Sequence, residues 1–405
     1  MVSLEQAFEE ACNTGKIPHA VLASSNKDES FTYLRAFGFK TLSEEPKQAI
    51  KNDDIMMIFS LTKRMTSIAA LQCVERSLIQ LDDDVAQILP DLAALEILEG
   101  YNSDTREWIL RKRKNAINLR SVEVLKYLDN KTISSNNLHV LYSHLLTHSS
   151  GLIYEGLSPL HRQYNKAMGR PKALDGPTIT TRYTSPLLFE PGTSWGYGTG
   201  LDWAGLLVTC LTKMNLEEYM KEHIWSPLGI HDATFWPEKN LDLSKRIAEM
   251  ALRDPPAVAD AKGKIIPYAG PSMRGTYTEE MGGQGVFTSI SSELKGLKSN
   301  LVDGGEAGEG ENVTNDVHAS ALVSKAEQVF NNEASRMDIA EYIETAPYDW
   351  GLGGMLTLDN VGWARRKGTM TWSGLPNLFW FIDREADLCG VYGGQVLMNG
   401  DPQTF

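Results

Sequence analysis

An α/β (α+β) architecture, with one antiparallel sheet assembled from both chain ends and a mostly helical lobe inserted between them, is predicted by three features of the sequence. An amphipathic helix followed by two strand-like stretches stands near the N-terminus, and three more strand-like stretches stand near the C-terminus. The long middle carries apolar residues mainly at helical spacing. The expectation is a single domain over 1–405 with two lobes: 1–55 and 345–405 in the sheet lobe, 56–344 in the helical lobe. The seam between such lobes is the usual place for a ligand.

Leu4, Ala7, Phe8, Ala11 and Cys12 recur at helical spacing, so residues 3–14 read as a helix with one buried face. After Gly15 and Pro18, residues 19–25 and 31–39 read as strands joined by the polar turn Asn26-Lys27-Asp28-Glu29. Ser60 opens the next helix, in which Met65, Ile68, Ala69, Leu71, Gln72 and Cys73 give a mostly apolar face. The run Asp82-Asp83-Asp84 reads as a capped turn, because a calcium loop needs a twelve-position ligand pattern and a glycine bend that are missing. Residues 98–143 are the least orderly. The stretch Leu145-Leu146-Thr147-His148-Ser149-Ser150-Gly151 reads as a short helix ending at glycine, with His148 as a structural hydrogen-bonder at its end.

A glycine-rich loop over 190–200 presents Tyr197 ahead of a helix carrying Leu201, Ala204, Leu207, Val208 and Leu211. Residues 216–224 read as a further helix. Gly282-Gly283-Gln284-Gly285 is a second tight loop, leading to a helix from about 291 to 301 with Ser291 or Ser292 as its cap. Residues 304–311 read as a surface loop. Strands are expected at 366–372, 378–383 and 388–396, separated by Gly374-Leu375-Pro376-Asn377 and Arg384-Glu385-Ala386-Asp387.

Composition narrows the function. The 405 residues carry a formal charge of -13 and a pI near 5.2, which argues against nucleic acid or an anionic membrane as the main partner. The basic run Arg111-Lys112-Arg113-Lys114 is short and reads as a solvated loop. The N-terminus is acidic and amphipathic rather than basic and then apolar, and there is no run of about 18 apolar residues. A cytoplasmic location is the default. Cys12, Cys73, Cys210 and Cys389 are scattered, so reduced core thiols are expected and no metal site. The 282–285 loop lacks the strand and lysine of a phosphate cradle, and no cofactor is expected.

Chemistry enters at Ser60-Leu61-Thr62-Lys63. Three residues make almost one helical turn, so the hydroxyl of Ser60 and the amine of Lys63 share a face. Serine needs a neighbour to take its proton as a new bond forms, and lysine can do so if burial lowers its pKa toward neutrality. At the helix start, unpaired backbone N–H groups also favour developing negative charge. Alone, the pair is common on surface helices.

Together with other stretches it is more specific. Ser60-Leu61-Thr62-Lys63, Leu145 to Leu152, Pro191-Gly192 through Tyr197, Gly282 to Gly285 and Trp372-Ser373-Gly374-Leu375 stand in one order over nearly the whole chain. In that order they resemble the serine beta-lactamase and penicillin-binding-protein superfamily, in its class C-like esterase and fungal lovastatin-type transesterase branch. The resemblance implies a beta-lactamase/transpeptidase-like fold and an acyl-enzyme on Ser60. Lys63 and Tyr197 would be its proton partners, either one serving as the base. It also implies an oxyanion hole from the backbone N–H groups of Ser60 and Leu375, with Trp372, Ser373 and Gly374 on the substrate-binding strand. The partners implied are a small-molecule ester or thioester acyl donor and an alcohol or water acceptor, in secondary metabolism. Any acyl-carrier or oligomeric partner is unspecified.

Departures from the pattern carry information. Beta-lactamases and transpeptidases open the third motif with a lysine or histidine that helps hold a substrate carboxylate. Trp372 cannot supply that charge, which disfavours the rival reading of a beta-lactamase or D-alanyl-D-alanine peptidase. Thr199 replaces the usual asparagine of the second motif. Residues 121–143 read as an insertion, and the chain ends at Phe405 where the family adds a helix packed on the sheet. Open apolar sheet surface is the expected consequence, at about 25 cal/mol per Å² of lost burial. Both departures support a second rival, a catalytically silent binding protein on the same fold.

Overall fold

The computed structural model describes residues 2–81, 83–119, 144–170, 175–254, 263–301, 348–362, 365–401 and 403–404. The insertion expected at 121–143 and the loop at 304–311 lie outside the described residues. The main sheet has seven strands. In spatial order they are Thr32–Gly38, His19–Ser25, Leu388–Gly393, Leu378–Asp383, Met370–Gly374, Met355–Thr357 and Tyr348–Trp350. All neighbours are antiparallel. The two ends of the chain meet where Val21 lies opposite Gly393 and Ser25 opposite Cys389.

Alternation along the strands sends neighbouring residues to opposite faces, each packed against a helix. On one face Phe8 of the helix Leu4–Asn13 stacks on Phe37 at 5.6 Å and meets Tyr392 at 6.1 Å between ring centroids. Ser3 and Gln6 close a capping box that starts this helix. On the other face the helix Ile290–Ser299 comes so near that a Cβ on Gly393 would lie 2.4 Å from Ile290.

The helix Thr62–Glu75 runs through the interior and packs on Gly200–Thr212. Its Arg64 is 4% exposed and donates to Glu293 at 2.7 Å, to the Gly296 carbonyl at 3.0 Å and to Asn300 at 3.0 Å. Burial raises the Glu293 pKa against the pull of Arg64. A paired, hydrogen-bonded guanidinium thus locks the central helix to the helix on the sheet.

Several elements differ locally from the sequence reading. Residues 145–148 form a turn rather than a helix, because His148 takes a left-handed backbone with φ 60°. The helix expected from 291 begins at Ile290, with Ser289 accepting from Ser292 N–H as its cap. Phe287–Ser289 pairs with Ile55–Met57 up to that point. The helix over 216–224 is α-helical only at Leu216–Met220 and widens to a π turn at Lys221–Trp225. The strand expected over 388–396 stops at Gly393, and Val396–Leu397 joins Ala251–Asp254 in a separate sheet. The short strands Met355–Thr357 and Tyr348–Trp350 have no sequence signal of their own.

The tail after Gly393 is pinned by Asn377, which donates to the carbonyls of Val396 at 2.7 Å and Met398 at 2.9 Å and accepts from Gly400 N–H at 3.0 Å. Arg253 holds Asp401 in a buried pair at 2.7 Å. No helix among the described residues is long and apolar enough to cross a membrane.

Candidate active site

Phe59–Leu61 forms a tight 3-10 turn leading into Thr62–Glu75, with Phe59 in the left-handed region at φ 46°. This corner places the half-buried Ser60 on one turn of helix with Lys63, which is 1% exposed. Lys63 Nζ donates to Ser60 Oγ at 3.1 Å, to Tyr154 Oη at 3.1 Å and to the Gly283 carbonyl at 2.7 Å. Those acceptors match the hydrogens of an ammonium one for one. Burial nonetheless lowers the Lys63 pKa from 10.5 to about 7, against the opposing pull of Asp202. Near neutral pH a large share of Lys63 is therefore the free amine, able to take a proton.

Tyr197 comes from the glycine loop to place its hydroxyl 2.8 Å from Ser60 Oγ. Trp372 Nε1–H donates to the Tyr197 oxygen at 3.1 Å. An indole can only donate, so the phenol oxygen is the acceptor there. When Tyr197 carries its proton, that proton is aimed at Ser60, and the serine proton has Lys63 as its outlet. When Tyr197 is a phenolate, Ser60 can donate to it instead.

The loop glycines are needed for this approach. A Cβ on Gly198 would lie 1.6 Å from the Leu152 carbonyl oxygen, and one on Gly283 would lie 2.5 Å from an Asp202 carboxylate oxygen. Gly374 is likewise pressed on the Ile58 carbonyl, where a Cβ would sit 2.7 Å away. That contact seats the strand Met370–Gly374 and the turn at Leu375 beside the nucleophile.

Sequence reasoning missed Tyr154 and Asp202. Tyr154 Oη–H donates to Asp202 Oδ2 at 3.3 Å, and Asp202 Oδ1 accepts from Gly283 N–H at 2.9 Å. Burial raises the Tyr154 pKa well above 10, so it remains a phenol, and burial also raises the Asp202 pKa. Asp202 had a readable signal, being a carboxylate within the apolar run Leu201 to Leu207. Tyr154 had none. If neutral Lys63 is the active form, kcat/KM rises with pH through about 7 and levels off above it. Asp202→Asn removes a negative charge that favours the ammonium while keeping an acceptor for Gly283. Its rising limb is therefore expected at lower pH than in the unaltered protein, as read from a kcat/KM profile; an upward shift would contradict this coupling.

Ser60, Tyr197, Trp372, Ser373, Gly374 and Leu375 line one cavity of about 500 Å³. Its walls are largely apolar, with Ile153, Leu157, Leu188, Phe189 and Trp195 among the lining residues, and Glu99, Met398 and Asn399 also line it. Among the described residues no lysine or arginine lines it. Arg111 of the basic run pairs with Glu99 and Glu190. Of the sequence-proposed site residues all line this cavity except Lys63, which is buried behind Ser60 and reaches its Oγ at 3.1 Å. His148 lies under Tyr197, away from the cavity. No group of three or more His, Cys, Asp and Glu side chains suited to a metal ion occurs among the described residues.

Comparison with known proteins gives the family and the fold. The family model described as Beta-lactamase matches residues 4–404. The lovastatin esterase of Penicillium rubens is 34% identical over 411 aligned residues, covering 98% of this chain and 94% of that protein. The monacolin J acid methylbutanoyltransferase of Aspergillus terreus is 34% identical, covering 99% of this chain and 92% of its own. Among solved structures, a mutant of the simvastatin synthase LovD from Aspergillus terreus superposes with a TM-score of 0.82 at 34% identity, over 99% of this chain and 90% of that one. EstCE1, a hydrolase with promiscuous acyltransferase activity, shares the fold with a TM-score of 0.69 at 19% identity, over 99% of this chain and 95% of that one.

Proposed function

The chain belongs to the beta-lactamase family, and from that premise we propose that it is a serine esterase or acyltransferase working through an acyl-enzyme on Ser60. The observation that carries this is the convergence of Ser60 Oγ, Lys63 Nζ and Tyr197 Oη within 3.1 Å contacts at the floor of an apolar cavity.

Ser60 Oγ attacks the carbonyl carbon of an ester or thioester, and its proton passes to Lys63 or Tyr197. The N–H groups of Ser60 and Leu375 hold the oxyanion, a contribution of about 10²–10³ in rate per donor. Collapse expels the alcohol or thiol, which takes the proton. An alcohol or water then attacks the acyl-enzyme by the reverse path, and the acceptor alone separates transfer from hydrolysis. With Trp372 in place of a cation and no lysine or arginine among the described residues of the cavity wall, the favoured donor is a neutral ester or thioester with an apolar acyl group.

One relative is named for moving a methylbutanoyl group and another for cleaving lovastatin. By analogy with these names, a small branched acyl group and a bulky apolar alcohol, handled in secondary metabolism, are the substrates proposed for this apolar cavity. The reading includes a sheet lobe of 1–55 and 345–405 around a lobe of 56–344. It also includes a cytoplasmic setting, supported by Cys12, Cys73, Cys210 and Cys389 all being free thiols.

Incubation with p-nitrophenyl butyrate tests the proposal. A burst of nitrophenol and a protein mass raised by one butyryl group are expected, with an ester product when a bulky alcohol is added. Nitrocefin is expected to be cleaved on the order of 10²-fold less efficiently, for want of a charge partner for its carboxylate. Comparable efficiency on nitrocefin would restore the beta-lactamase reading, and absence of any adduct would favour a binding protein.

A further inference from the structure

The N–H groups of both glycines that flank Tyr197 are held by one residue. The His148 carbonyl accepts from Gly196 N–H at 2.9 Å, and His148 Nδ1 accepts from Gly198 N–H at 3.2 Å. The imidazole also lies 4.6 Å from the Tyr197 ring. Trp350 stands 4.7 Å from the imidazole and donates its indole N–H to the Leu146 carbonyl at 3.1 Å, tying down the turn that carries His148.

The backbone of His148 separates it from the other buried histidines. Its backbone is left-handed at φ 60°, a conformation that costs a side chain of this size of order 1 kcal/mol. Among the described residues its Nε2 has no hydrogen-bond partner, a feature shared with His19 Nε2. A residue kept only for packing would avoid the backbone penalty. Acceptance at Nδ1 places the ring proton on Nε2 and requires a neutral imidazole. Burial and the nearby Lys63 charge both push the His148 pKa well below 6.5, so the neutral ring persists where Lys63 titrates.

We infer that His148 is a positioning residue for acyl transfer: through its carbonyl and Nδ1 it clamps the N–H groups of Gly196 and Gly198, on either side of Tyr197, and so sets the phenol oxygen 2.8 Å from Ser60 Oγ. The inference rests on the reading that Tyr197 lies in the proton path of an acyl-enzyme.

The test compares His148→Gly with His148→Asn. Glycine keeps the left-handed backbone and removes the side-chain acceptor, whereas asparagine tolerates the same backbone and returns an oxygen near the Nδ1 position. Kinetics with p-nitrophenyl butyrate are normalised to the fraction of protein that takes up a butyryl group. His148→Gly is expected to lose about 10²-fold in kcat with KM changed by less than about threefold, and His148→Asn to recover at least about tenfold of that loss. A glycine variant with unchanged kcat overturns the proposal, as does an equal loss in both variants. Should His148→Gly fail to fold, His148→Gln decides, because its amide reaches toward the Nε2 position and leaves Gly198 N–H unpaired. It is expected to be slower than His148→Asn, and equality overturns the clamp. No butyryl adduct on the unaltered protein would overturn the acyl-enzyme reading and the clamp with it, whereas an adduct with an unimpaired glycine variant overturns the clamp alone.

Discussion

Ser60→Ala is expected to remove both the nitrophenol burst and the butyryl adduct, and to lower steady-state turnover of p-nitrophenyl butyrate by about 10⁴-fold or more. The loss is large because alanine deletes the bond-forming atom, and no neighbouring group can replace it. Tyr197 and Lys63 both bond to Ser60 Oγ, but a phenol and an amine held at 2.8 and 3.1 Å around a missing hydroxyl have no acyl group to act on. The fold is expected to persist, since Ser60 is only half-buried and Lys63 keeps Tyr154 and the Gly283 carbonyl as partners. Intact-protein mass after substrate exposure, with circular dichroism as the folding control, provides the check. An adduct surviving in the alanine variant would place the nucleophile elsewhere.

Lys63→Met is expected to lower kcat by about 10²–10⁴-fold, the usual share of a general base. Methionine has similar length and suits a buried slot, but it cannot take a proton. The same substitution separates the two routes for the serine proton. If Lys63 is the base, the variant loses the rising limb near pH 7 along with most of its rate, because the group that titrates there is gone. If Tyr197 is the base and Lys63 only holds Ser60 in place, activity falls less and a limb of different midpoint remains. Tyr154 and the Gly283 carbonyl lose a donor in this variant, at about 1–3 kcal/mol, so a thermal unfolding control accompanies the kinetics.

Much of this was legible in residues alone, and the reasons are physical. The strands at 19–25 and 378–383 are read where they occur because their apolar runs are bounded by turn residues. The Ser60–Lys63 contact follows from helical spacing, which needs no knowledge of the rest of the molecule. Tyr197 at 2.8 Å from Ser60 is a different matter, for no local rule joins residues so far apart in the chain. It was reached by resemblance of ordered motifs. Tyr154 escaped because a lone tyrosine in a loop has nothing to distinguish it from a core plug. Asp202 escaped because it was read as part of an apolar helix, when a buried carboxylate there was the informative exception. Short strands such as Tyr348–Trp350 are set by what their neighbours need as hydrogen-bond partners, not by a pattern within them.

The order of the sheet also governs when the protein can first work. The helix that follows Ser60 lies early in the sequence, yet the strand that seats beside it, Met370–Gly374, and the strand that pairs with His19–Ser25, Leu388–Gly393, are made far downstream of it. A nascent chain therefore exposes Ser60 long before it owns a groove in which an ester could react. Pairings so distant in sequence form slowly, and reactivity emerges only once those downstream strands have been made and paired.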